Sequence, residues 1–336
     1  MADNTQILLI ERPKGQLELS HFELREGPMP VPEEGQVLVR NILLSQDAAN
    51  RAWMQGATYR SAVNAGDVMH GYALCEVVES RSGDHQPGDL VMGEAGWQQY
   101  AALDAAALQK CSAHRPLSHL LSVLGIAGKT AYHGLINVSG IHEGETLLVS
   151  AAAGSVGSLV GQIGKIKSAR VVGVAGGPEK CAWVVDELGF DACVDYKGGE
   201  LSAGLAQHCP AGIDVYFDNT GGDILQAALF AMNQAGRIAC CGAVSMYDGG
   251  PLNGPVGVPG LLVVKRLRME GFIVMDFADR DAEAERDLAD WAADGRLKVV
   301  EDVIDGLENA PRGLIGLLAG ENRGKRMIRV GPDPGA

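Results

Sequence analysis

The chain has 336 residues, 46% apolar and 21% charged, enough to bury the cores of about two globular domains and too apolar for a disordered chain. Its formal net charge is −14, from 28 Lys plus Arg against 42 Asp plus Glu, which excludes a general affinity for nucleic acid or anionic membrane surfaces. Any anion it binds has to be held in a local pocket.

The N-terminal stretch MADNTQILLIERPKG lacks a basic region followed by an apolar one, so no signal peptide is read there. No apolar run approaches the ~20 residues of a spanning helix. From residue 1 to about 125 the chain reads as short β segments broken by turns. These are Gln6–Glu11, Gln36–Ser45 (entered through a Pro/Gly-rich turn), Ala73–Ser80, and a strand after Gln86-Pro-Gly-Asp. That spacing predicts a small barrel-like β domain.

The pattern changes near Gly125. Six apolar runs follow: Thr146–Ser150, Arg170–Ala175, Ala192–Tyr196, Ile213–Asn219, Arg237–Gly242 and Gly271–Met275. Helical stretches stand between them, at Val156–Lys167, Glu179–Leu188, Ile224–Asn233 and Ala282–Asp294. Runs with few outward polar positions are strands covered on both faces, so the alternation predicts an α/β fold, a doubly wound parallel sheet of the Rossmann type. After 300 come a strand-like segment, a helix over Glu308–Ala319 and a strand over Arg326–Val330, which are expected to return to the first domain.

The first run ends in Ala151-Ala-Ala-Gly154-Ser-Val156-Gly157 and passes directly into a helix. This is a G-x-G-x-x-G turn with Ala152 in the first glycine place. Gly154 allows close approach of a pyrophosphate, Gly157 allows close packing of helix on strand, and the free N–H groups of the helix start meet the charge. The second strand ends Val174-Ala-Gly-Gly-Pro178, without the acid that binds a ribose 2′-hydroxyl in an NAD site. Lys180 follows in the first helical turn, and Tyr196 closes the third strand. Together they favour NADP over NAD, the alternative for Lys180 being a solvated surface residue.

With these motifs in place, the chain resembles the zinc-independent branch of the medium-chain dehydrogenases/reductases. Within it, the chain is similar to the prostaglandin reductases (leukotriene hydroxydehydrogenases), the alkenal double-bond reductases and curcumin reductase. The matching stretches are Thr130-Ala-Tyr-His-Gly-Leu, the 151–157 turn with Gly161-Gln-Ile, Glu179-Lys180, and Phe217-Asp-Asn-Thr-Gly-Gly222. They continue with Gly236-Arg-Ile-Ala-Cys-Cys-Gly-Ala243, Leu267-Arg-Met-Glu-Gly-Phe272 and Gly320-Glu-Asn-Arg-Gly-Lys325. The resemblance implies a GroES-like domain over 1–126 plus 301–336 and a Rossmann NADP-binding domain over 127–300. It implies NADPH and hydride delivery to the β-carbon of an enone or enal. By matching position, Lys180 and Tyr196 hold the 2′-phosphate, and Gly154, Val156 and Gly157 form the pyrophosphate turn. Asn219, Phe272 and Asn322 contact the cofactor, Thr130 stands near the nicotinamide, and Tyr247 is the candidate acid. The resemblance also implies a homodimer, paired edge to edge through Gly271–Met275.

Three positions depart from the family pattern. Asp47-Ala48-Ala49-Asn50-Arg51 stands where Asp-Pro-Tyr-Met-Arg is usual. With that tyrosine missing, Asn50, Trp53, Tyr59 and Tyr72 are the candidates for the substrate pocket, with a loop over 246–260 as another wall. Lys129 replaces an apolar residue, and Gly177 stands where a serine is common.

No metal site is expected. The stretches that carry zinc ligands in metal-dependent relatives read Ser45-Gln-Asp-Ala and His70-Gly-Tyr-Ala, and no cysteine precedes Cys75. His70 alone reads as a structural or pocket residue. The seven cysteines form no C-x-x-C pair or zinc-spaced cluster and read as free thiols of a reducing, cytoplasmic compartment. Without a Lewis acid, developing oxyanion charge must meet hydrogen-bond donors, which suits enone reduction. The expected activity is therefore an NADPH-dependent 2-alkenal/enone reductase acting on a small molecule. A quinone reductase or zinc-free alcohol dehydrogenase on the same scaffold, or a non-catalytic NADPH-binding protein, remain as alternatives. Tyr247 itself has the alternative of a structural loop tyrosine.

Overall fold

A computed structural model describes residues 3–111, 114–249 and 254–335. The first half supplies β1 (Asp3–Leu9), β2 (Phe22–Pro28), β3 (Gln36–Ser45), helix α1 (Ala49–Gln55), β4 (Ala73–Ser80), β5 (Leu90–Gly93), β6 (Tyr100–Asp104) and β7 (Gln109–Lys110). Helix α2 (Ile126–Tyr132), continued by a π-helical turn over His133–Val138, leads into the second half.

There the strands are β8 (Thr146–Ser150), β9 (Arg170–Ala175), β10 (Ala192–Asp195), β11 (Ile213–Asp218), β12 (Met232–Cys240) and β13 (Arg268–Gly271). The helices are α3 (Ser155–Ile166), α4 (Pro178–Leu188), α5 (Leu201–His208), α6 (Gly222–Ala231), α7 (Val258–Lys265) and α8 (Asp281–Ala293). The chain closes with β14 (Glu301–Asp305), α9 (Ala310–Leu318) and β15 (Lys325–Arg329).

The six strands β8–β13 form one parallel sheet in the order β10-β9-β8-β11-β12-β13. Every residue of β8 is buried, as a strand covered on both faces requires. On one face Leu159 and Ile163 of α3, Val184 of α4 and Trp291 of α8 pack on Leu147, Val149 and Val171. On the other, Leu205 of α5 and Leu225 and Leu229 of α6 pack on Leu148, Val172 and Tyr216. The order reverses between β8 and β11, so a crevice opens beyond their carboxyl ends.

The last two strands leave this sheet. β15 pairs antiparallel with β3 and parallel with β14, extending a seven-stranded sheet that contains β3 to β7. Ile328 and Leu314 therefore share a core with Ile7, Val39, Leu44 and Trp97.

One expected strand is displaced. The sixth strand is Arg268–Gly271, not Gly271–Met275, and Val274–Arg280 coils into a 3₁₀ stretch. β13 lies at the sheet edge with Arg268 and Glu270 exposed, so it carries no apolar run to read. Of the apolar residues that follow, Phe272 turns inward and Met275 stays exposed. Phe272 packs edge-on against Phe217, with ring centroids 6.1 Å apart, and against Phe277 at 6.3 Å.

Candidate active site

The turn after β8 is shaped by backbone constraints. Ala151 adopts a positive φ of 50°, and its carbonyl accepts the Gly154 N–H at 2.8 Å. A Cβ on Gly157 would run into that carbonyl, so this place admits only glycine. Gly154 caps α3, and the N–H groups of the first turn have no partner within the helix. Ser155 Oγ is buried there without a hydrogen-bond partner. A buried hydroxyl left unpaired beside free helix N–H groups fits a bound phosphate oxygen. The sequence reading passed over Ser155, although it stands inside the motif.

The C-terminal segment closes over this turn. Gly324 N–H donates to Ala153 O at 2.9 Å, and Gly154 and Gly324 form a parallel bridge. Asn322 is buried, with its side-chain N–H donating to Gly324 O at 2.9 Å. Lys180 Nζ donates to the carbonyl of Gly320 and, at 2.6 Å, to that of Asn322, leaving one of its three donors free.

Around Lys180 the structure gathers cations that the motif search missed. Lys197 Nζ lies 5.9 Å from the Tyr196 ring, and the Arg323 guanidinium 5.6 Å from the ring of Trp183. Burial lowers the pKa of Lys180, and the fields of Arg323, Lys197 and Arg326 lower it further. A local concentration of positive charge on a chain of net charge −14 fits an anionic group at the end of β9 and β10. Lys197 adjoins Tyr196 and Arg323 lies within the Gly320–Lys325 motif, so adjacency to those motifs was the available signal. Half-exposed Tyr196 stands at this same end, its ring edge close to Gly176.

At the switch point, Asn219 ties β11 to β8. Its N–H donates to Ser150 Oγ at 2.9 Å and its side-chain amide to Ser150 O at 2.8 Å. Buried Asp218 accepts the Thr220 and Gly221 N–H groups and the Tyr216 hydroxyl, at 3.0, 2.9 and 2.7 Å, and so fixes the turn that follows. Thr130 is buried on α2. Tyr247 follows a 3₁₀ turn beyond β12, and its hydroxyl accepts the Ala243 N–H at 3.2 Å. It borders a cavity of 330 Å³ lined also by Gly221, Leu225, Gly242 and Met246.

The four substrate-pocket candidates divide. Trp53 carries the Arg60 guanidinium 4.0 Å from its ring centroid, and Arg60 also pairs with Glu94 at 2.8 Å. Tyr59 lies beside them, more than half exposed, and partial burial of its phenol raises its pKa, with Asp47 and Tyr247 adding to the rise. Asn50 faces inward: its carbonyl accepts the Asp47 N–H at 2.9 Å and its amide donates to His70 O at 3.1 Å. Tyr72 packs with Leu121, Met92 and Cys111, and burial pushes its pKa up to about 12. His70 Nδ1 lies 3.3 Å from Arg60 Nη2, and burial lowers its pKa. Part of the 246–260 loop, residues 250–253, lies outside the described residues.

Comparison with known proteins adds to this geometry. Residues 5–111 match the family model for the N-terminal domain of oxidoreductase, and residues 155–293 that for zinc-binding dehydrogenase. The chain is 43% identical to the NADPH-dependent curcumin reductase of Escherichia coli (strain K12) over 98% of both chains. It is 39% identical to the NADP(+)-dependent 2-alkenal reductase of Nicotiana tabacum over 97% of both. The solved structure of CurA from Vibrio vulnificus in complex with NADPH superimposes with a TM-score of 0.93 at 39% identity, covering 98% of this chain and 100% of that one.

Proposed function

Because the chain belongs to the medium-chain dehydrogenase/reductase family, we propose that it reduces the carbon–carbon double bond of α,β-unsaturated aldehydes and ketones with NADPH. The observation that carries this reading is likeness along the whole chain to reductases named for NADPH and for curcumin or 2-alkenals.

The orphaned Ser155 hydroxyl, the glycine-only place at 157 and the cations around Lys180 support NADP as the resident cofactor. In this reading Gly154, Val156, Gly157 and Ser155 hold the pyrophosphate. Lys180, Tyr196, Lys197 and Arg323 face the 2′-phosphate. Thr130, Asn219, Phe272 and Asn322 flank the cofactor. When bound, NADPH supplies the hydride that adds to the substrate β-carbon. The displaced π pair makes an enolate, whose oxygen meets a donor, and the α-carbon then takes a proton. Tyr247 is that donor, because its oxygen already accepts the Ala243 N–H and its own proton stays free. Trp53 and Tyr59 wall the substrate on the side of the first domain.

The mechanism runs without zinc. The stretches that carry zinc ligands in metal-dependent relatives read Ser45-Gln-Asp-Ala and His70-Gly-Tyr-Ala here, and among the described residues no three His, Cys, Asp or Glu side chains gather. The chain acts as a homodimer: β13 leaves an outer sheet edge, and Val263, Val264 and Met275 are exposed nearby. No helix of the described residues is long and apolar enough to cross a membrane. All seven cysteines are free, which supports a reducing, cytoplasmic setting. The domain limits are 1–126 plus 301–336 and 127–300.

The test is steady-state NADPH oxidation against 2-alkenals, cyclic and aromatic enones, quinones and saturated aldehydes, with product identification. A saturated carbonyl product from enals or enones supports the reading. Turnover confined to quinones, or an allylic alcohol product, overturns it.

A further inference from the structure

Tyr247 sits at the far end of a loop anchored by two different parts of the chain. As far as Ser245, the loop after β12 is held by its own sheet. Val244 N–H donates to Asn219 O at 3.3 Å, and the Ser245 N–H and hydroxyl both donate to Thr220 O, at 3.2 and 2.6 Å. Beyond that point anchors from the first half of the chain join the turn's own bonds, in which Tyr247 N–H donates to Val244 O and the Tyr247 hydroxyl accepts the Ala243 N–H, both at 3.2 Å. The Tyr247 carbonyl accepts Gln55 Nε2 at 2.7 Å. The Asp248 carboxylate accepts Arg51 Nε at 2.9 Å and the Leu17 N–H at 2.8 Å. Gly249, at a φ of 72°, passes so near Gly15 that an added Cβ would stand 3.0 Å from it.

Arg51 is the centre of this junction. It lies on α1, and its side chain is 1% exposed. Its Nη2 donates to Gly15 O at 2.6 Å, which holds the 15–17 segment against the same carboxylate. Its Nη1 is buried without a partner, so Asp248 is the only carboxylate paired with it among the described residues. A buried guanidinium so sparsely matched is a costly arrangement as a simple staple. What it joins is α1, which carries Trp53, and the 15–17 segment to the residue after the candidate donor.

We propose that Arg51 is a positioning residue, which through Asp248, and with Gln55 on Tyr247 O, sets the Tyr247 hydroxyl against the substrate oxygen from the first domain. The donor is thus assembled only when the two parts of the chain are docked. This rests on the reading of Tyr247 as donor.

The test uses the full chain with NADPH and 2-hexenal, in R51M, R51K, Y247F and R51M/Y247F. D248N serves as a milder break should R51M fail to fold. A loop displaced by an ångström or so lowers kcat about tenfold or more in R51M, with the NADPH Kd within about twofold of wild type. R51K, which keeps the charge and loses the fork, recovers part of the loss. The double variant is no slower than Y247F alone, since a residue acting only through Tyr247 has nothing left to lose. Amide hydrogen exchange at Leu17 and across 244–249 rises in R51M, while 151–157 stays unchanged. Multiplying effects in the double variant, or unchanged exchange in 244–249, overturns the proposal. If Y247F alone keeps full kcat, the donor reading fails; faster exchange in R51M would then leave Arg51 as a loop anchor only.

Discussion

The hydroxyl of Tyr247 accepts the backbone N–H of Ala243 at 3.2 Å, so the residue that closes the 3₁₀ turn is tied to the residue that opens it. The bond uses the oxygen as acceptor and leaves the phenolic proton for another partner. Tyr247→Phe keeps the ring and removes that proton. kcat is expected to fall on the order of 10²-fold with little change in KM, as for an interaction made mainly in the transition state. NADPH affinity stays near wild type. A loss of less than about threefold would assign the proton to solvent, and a large rise in NADPH Kd would make Tyr247 a cofactor anchor.

Lys180 faces the carbonyls of Gly320 and Asn322 with one donor to spare. Lys180→Ala is expected to weaken NADPH about 10- to 100-fold and NADH hardly at all, the worth of a charge-assisted hydrogen bond of roughly 1.5–3 kcal/mol. Burial first, and neighbouring cations second, lower its pKa from 10.5. The sign follows. With the folded value depressed, the ammonium form is disfavoured by folding, and stability rises with pH between the folded and unfolded values. A 2′-phosphate favours the ammonium, so NADPH affinity falls as pH rises through the depressed value, below 10.5, while NADH affinity stays flat across that step. Equal effects of the mutation or of pH on the two cofactors would remove Lys180 from the 2′-phosphate.

Gly157 cannot carry a side chain without displacing the Ala151 carbonyl. Gly157→Ala is expected to cost about 1–3 kcal/mol of stability, the usual penalty for overpacking against a structure that cannot yield. NADPH binding should fall with it, since the shifted backbone is the phosphate turn. Thermal denaturation and NADPH fluorescence titration check both. A variant with unchanged Tm and unchanged affinity would show that the turn is not as tight as described.

Purified protein is expected to contain well under one zinc per chain and to keep its activity in chelator. Metal analysis with activity assays before and after chelation decides this. Activity lost to chelator and restored by zinc would refute the metal-free mechanism.

The free edge of β13 and the exposed Val263, Val264 and Met275 predict self-association with an isologous interface. Light scattering should give twice the chain mass at working concentration. A single-chain mass would contradict it.

What the sequence determined by itself is what depends on local pattern. The runs of β8 and β9 match their strands to the residue, because a strand covered on both faces shows an unbroken apolar stretch, here Leu147–Val149 and Val171–Ala175. The 151–157 turn was legible because a glycine is demanded by the backbone of its own neighbours, here Ala151 for Gly157. The tertiary structure decided whatever joins distant residues or lacks an apolar signature. β13 was misplaced because an edge strand with exposed Arg268 and Glu270 looks polar in sequence. For Asn50, nothing in a single position tells whether an amide faces inward, and here its side chain bonds the Asp47 N–H and His70 O. Lys197 and Arg323 stand far apart in the chain: the pairing of β10 with β9 sets Lys197 near Lys180, and only the return of the C-terminal segment over the phosphate turn brings Arg323 there. Arg51 and Asp248 are separated by 197 residues, and no local period or motif spacing encodes their meeting. Only the docking of α1 on the loop after β12 brings them together, and a charge buried there has to find its partner wherever the fold places one.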